Sequence, residues 1–148
     1  MSIATKSTPL ATLALGALTL LTAASAAPAA YAGECGDGLY NHNGSRMDVH
    51  VCGRSLSIVY DRARAGIRKH GVRNGTLLVR GNVRLSGGKQ RISGTAHVFK
   101  RGCGATGYSV TGWLYRNGRI VLNGRAPVRG SGCQITRYRN DRLVFNPL

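Results

Sequence analysis

Acidic side chains are scarce in this chain: five Asp and Glu stand against 21 Lys and Arg in 148 residues. So few carboxylates leave little room for the paired acids of a glycoside hydrolase; of the five, Asp48 and Asp61 fall in or beside a strand pattern. Aromatic residues are also sparse, with one tryptophan and two phenylalanines. The motifs C-x-x-C, H-E-x-x-H and G-x-S-x-G are absent, as is a phosphate loop, and with them go the usual zinc, metallopeptidase, serine-hydrolase and nucleotidase signatures. His42, His50, His70 and His97 show no metal-ligand spacing. No metal and no cofactor is expected.

One long apolar stretch exists, and it lies at the start. Residues 1–32 carry Lys6, then the apolar run "LATLALGALTLL", then the small residues "AASAAPAAYA". That order is the signature of a secretory signal peptide. Ala30-Tyr31-Ala32 offers a cleavage site that leaves residues 33–148 as a single β domain, and Ala24-Ser25-Ala26 offers a second. An uncleaved anchor is the alternative, since the stretch approaches the length of a membrane span. The expected location is the periplasm or the medium, with a mature domain that does not span the membrane.

Cys35, Cys52, Cys103 and Cys133 all follow the leader. An even count in an exported chain predicts two disulfides, and three pairings are open. Local closure favours Cys35–Cys52 with Cys103–Cys133. Without Lys6, 20 basic residues face five acids, a formal +15, and seventeen of the 20 are arginines. Codon bias can explain arginine over lysine, but not the shortage of acids. The planar guanidinium suits phosphate, sulfate and carboxylate groups.

Beyond the leader the hydrophobic pattern alternates with period two. Met47/Val49/Val51, Leu56/Ile58/Tyr60, Leu77/Val79/Val83/Leu85, Ile92/Ala96/Val98, Tyr108–Tyr115 and Ile120–Ala126 read as strands. "SGGK" and Asn117-Gly118 supply turns between them. Two short strands, Cys133–Tyr138 and Leu143–Phe145, follow around "RND". Only Asp61–His70 suggests a short helix, with an acid first and bases last, and Gly66 weakens it, so a loop or a single turn is the equal alternative. Gly81, Gly94, Gly112 and Gly124 fall mid-strand on the core parity, as coiled strands of a small closed barrel require. The reading is an all-β, antiparallel up-and-down barrel of about eight strands, with a β-sandwich as runner-up.

The run "YNHNGSRM", then "GTLLVRG", "SGTAHVFKRGC", "YSVTG" and "RIVLNGRAPV" resembles a group of small exported bacterial β-domain proteins of uncharacterised function. The resemblance implies export and an all-β domain and transfers no active site. "YNHNGSRM" itself reads as a polar turn around Asn43-Gly44, with His42 turned to solvent.

The outward parity of the strands presents Arg80, Arg84, Arg91, His97, Trp113, Tyr115, Arg119 and Arg125. Arginines interleaved with aromatic rings can grip a polyanion and stack on its rings. The expected function is therefore a basic binding domain for an anionic polymer or acidic protein surface. Lipopolysaccharide phosphates, acidic polysaccharide and nucleic acid are the candidate polymers. The plainer alternative leaves these positions merely solvated. A third reading is an exported hydrolase of RNA-like substrates that uses His50, His97 and Lys100 for acid–base work.

Overall fold

The computed structural model describes residues 35–148; the expected leader and its two candidate cleavage sites lie outside them. Eight antiparallel strands run β1 (Cys35–His42), β2 (Ser45–Cys52), β3 (Ser55–Arg62), β4 (Leu77–Ser86), β5 (Lys89–Lys100), β6 (Gly104–Leu114), β7 (Ile120–Arg129) and β8 (Ile135–Pro147). Each pairs with its neighbour in sequence, and β8 returns to β1 through Tyr40–Pro147 and Asn41–Asn146, closing the barrel. Cys35–Cys52 and Cys103–Cys133 are both disulfide-bonded. Such bonds belong to an oxidising extracellular or periplasmic environment. Among the described residues no helix is long and apolar enough to cross a membrane.

The strand count agrees with the sequence reading through two compensating differences. Cys35–His42 is a full strand, because its backbone pairs along its whole length with β2 despite weak β-formers. The expected break at "RND" does not occur: Arg139, Asn140 and Asp141 pair in register with Ala126, Arg125 and Gly124, so β8 is continuous. The Asn43-Gly44 turn is present, with both residues at positive φ. His42, however, faces inward at 7% exposure and stacks on Phe145, against the expectation that it points to solvent.

Side chains fill the barrel, as eight strands allow. Val83, Ile92, Gly112, Leu122 and Leu143 form one inward layer by register. Leu56, Gly81, Gly94, Val110 and Gly124 form another. The glycines in these layers permit close approach of neighbouring strands. A Cβ on Gly94 would sit 2.3 Å from Arg80 O, and one on Gly112 would sit 1.9 Å from Val121 O. A bulge between Ile58 and Val59 shifts the parity of β4, so Leu78 rather than Leu77 is buried. Leu85, expected in the core, is 75% exposed near the β4–β5 turn, beyond the end of the packed interior.

The β2–β3, β4–β5 and β6–β7 turns lie at one end of the barrel. At the other, which we call the mouth, lie the β1–β2 turn, the two disulfide-tied hairpin tips and the connection from β3 to β4. That connection holds the single helical turn α1 (Ala65–Arg68) and buries Ala63 and Val72.

Candidate functional site

Strand register decides which outward side chains meet. Arg84 lies opposite Arg91, and Arg91 lies opposite Trp113, forming one row across β4, β5 and β6. Directly opposed residues place their Cβ atoms about 5 Å apart, so this is a contiguous cation–cation–aromatic row. Val121 continues it on β7 and is only 6% exposed, although it points outward and stands apart from the core cluster. The half-buried Trp113 is thus set into a covered patch of the outer wall.

Beyond the row, a groove of about 710 Å³ runs between the β4–β5 and β6–β7 tips. Leu85, Lys89, Gln90, Trp113, Tyr115 and Arg116 are among its walls. Gly87 and Gly88, both at positive φ, make the β4–β5 turn, so Lys89 is held beside the opposite tip. Tyr115 N–H donates to Arg119 O at 2.9 Å, closing the β6–β7 tip and placing Arg119 there, half-buried. Lys89 and Arg116 join this cluster although strand parity alone did not single them out; their position at the turns was the available signal.

The other sequence candidates lie apart. Arg80 and Arg125 are exposed on the outer wall, but Arg80 sits opposite Thr95, one further outward rung along β4 beyond Asn82. Arg125 pairs with Asn140, four residues along β7 from Val121. His97 departs from the outward set: its Nδ1–H donates to Leu78 O at 3.2 Å and its ring lies near Phe99, at the mouth.

The arginines are largely uncompensated. Among the described residues the only carboxylate–arginine pair is Asp61 with Arg46. Asp37 bonds His50, and Asp141 accepts from Tyr108 inside the barrel.

His50, His97 and Lys100 do not converge. His50 and His97 stand on β2 and β5, three strands apart, or about 14 Å at strand spacing. Lys100 Nζ donates to Arg129 O and Gly130 O, tying two hairpin tips together. His50 does lie opposite Ser57, yet no hydrogen bond joins them, so the Asp37–His50 pair is not relayed to a hydroxyl. Cys35, His50 and Cys52 bring potential ligand atoms within 4.8 Å, but both sulfurs are consumed in a disulfide and offer no thiolate.

The chain matches no protein-family model, no curated protein and no solved structure, so the reading of the site rests on its geometry.

Proposed function

We propose that this is an exported basic domain, acting in the periplasm or the medium, that binds an anionic partner through the Arg84–Arg91–Trp113 row and the groove beside it. The observation that carries the reading is that row. Two guanidiniums with no carboxylate partner among the described residues stand in line with a half-buried indole, beside Lys89 and Arg116 at the tips. Guanidiniums neutralise phosphate or sulfate on an extended chain, while the indole offers a face for a ring to stack on. Like charge opposes self-association of the same surface.

Salt titration of binding to heparin and to single-stranded DNA tests this. On DNA, each neutralised phosphate contributes about 0.7 to the slope of log affinity against log salt. The double variant Arg84→Ala/Arg91→Ala should flatten that slope by about 1.4. Arg80→Ala/Arg125→Ala should change it far less. Equal effects from the two pairs would mean diffuse charge and no site. RNA included in the same assay reports on the hydrolase alternative: histidine-dependent cleavage would replace the binding reading.

A further inference from the structure

The mouth, at the opposite end from the arginine–tryptophan row, holds a cavity of about 360 Å³ that the proposed polyanion surface does not use. Its floor is set by closure of the barrel. Inward residues of β3, β4, β6 and β8 bring Tyr60, Leu78, Tyr108 and Leu143 together, all buried. Half-buried Phe99 and Val98 of β5 form one side, and Ile67 of α1 forms the other. Tyr60 and Phe99 meet edge to face with ring centroids 6.2 Å apart, a preferred aromatic packing that gives the wall a fixed shape. The Cys103–Cys133 disulfide ties the hairpin tips above β5 and β8.

The polar groups at this mouth have an uneven distribution. Among the described residues Asp141 is the only carboxylate lining it, and that group already accepts the Tyr108 hydroxyl. Arg64 and Arg139 stand exposed at the rim. Among the described residues neither guanidinium has a hydrogen-bonding or carboxylate partner. His42 and His97 are each anchored by an Nδ1–H bond to a backbone carbonyl, so that Nε2 is an acceptor when neutral; that of His42 already accepts from Asn43 Nδ2–H at 3.4 Å. An apolar, aromatic pocket of this volume with a few convergent polar groups is the form that small-molecule sites take, and barrel mouths are a common place for them.

We propose that the mouth is a second binding site, for a small organic anion with an acidic head on an apolar body. The body lies against Phe99, Leu78, Val98 and Ile67, and the head meets Arg64 and Arg139 at the rim. A cationic ligand is disfavoured by the two free guanidiniums and by the charge of the whole domain. A polymer is disfavoured because the α1 connection and the tied hairpins bound the cavity on both sides.

The test uses 1-anilinonaphthalene-8-sulfonate as a fluorescent probe of the folded protein, with octanoate, octyl phosphate and octanol as competitors. The expected result is saturable one-to-one binding, displaced by octanoate or octyl phosphate and at least tenfold less effectively by octanol. Whichever anion displaces at lower concentration identifies the head as carboxylate or phosphate. Arg64→Ala/Arg139→Ala should weaken probe binding at least tenfold, as loss of a charged hydrogen bond implies. Ile67→Trp should abolish it by filling the cavity, and thermal melts of both variants establish that they fold. The part of probe binding that octanoate displaces should persist in Arg84→Ala/Arg91→Ala and be lost in Arg64→Ala/Arg139→Ala, so failure of the polyanion reading and failure of this one are told apart. Equal competition by octanol, or full binding in the folded Arg64→Ala/Arg139→Ala variant, would overturn the proposal.

Discussion

Tyr108 on β6 donates its hydroxyl hydrogen to Asp141 on β8, joining a buried ring to one of the chain's five acids inside the barrel mouth. Burial, the hydrogen bond and the nearby carboxylate all push the Tyr108 phenol well above its ordinary range. The folded state therefore keeps a proton that the unfolded chain sheds above pH 10, and stability falls as pH rises through that region. Tyr108→Phe should remove part of that alkaline loss. It should also destabilise the protein by about 1–3 kcal/mol near neutrality by leaving Asp141 without its donor. Urea unfolding at pH 7 and pH 10.5 measures both effects.

His42 supplies the opposite pH dependence. Burial lowers its pKa, and the Arg64 charge adds to that, while the bond to Val144 O and the Asp141 charge act the other way. The unfolded chain thus binds a proton near pH 6.5 that the folded state resists. Stability is full above that pH and falls as pH drops from about 6.5 toward the lowered folded pKa. His42→Asn keeps a donor for Val144 O and cannot titrate. Its urea midpoint should decline less than that of the parent protein between pH 7.5 and 5; equal declines would refute the assignment.

The coiled wall makes a sharp prediction for glycines. Gly94→Ala forces a Cβ against Arg80 O and Gly81 Cα, both backbone atoms that cannot swing aside, and should cost about 3 kcal/mol. At Gly36 nothing lies within 4 Å, and alanine there should shift stability by less than about 0.5 kcal/mol. Thermal or urea midpoints of the two variants separate close strand approach from a general intolerance of substitution.

Trp113 should act on polyanion affinity differently from its arginine neighbours. If rings of the ligand stack on it, Trp113→Ala weakens single-stranded DNA binding by about 1–3 kcal/mol with little change in salt slope. The same variant should still melt cooperatively, because the indole packs on the outer side of the wall, outside the core cluster. Loss of folding without a selective loss of affinity would assign Trp113 to structure alone.

Period-two alternation from Met47 to Ala126, turn dipeptides at Gly87-Gly88 and Asn117-Gly118, and an even cysteine count were enough to read an all-β barrel with two disulfides. These signals are local, because side-chain alternation and turn chemistry depend on residues a few positions apart. Gly36 and Gly38 hid β1, and "RND" mimicked a turn inside β8, because weak local preference there is overridden by hydrogen bonds to a neighbouring strand. Parity placed Arg84, Arg91 and Trp113 on the outer face, but only the register of β4, β5 and β6 put them in one row rather than scattering them like Arg80 and Arg125. The mouth was illegible for a stronger reason. His42, Tyr60 with Arg64, His97, Tyr108 and Asp141 come from five separate parts of the chain, and no spacing in the sequence records a meeting that only closure of β8 onto β1 creates.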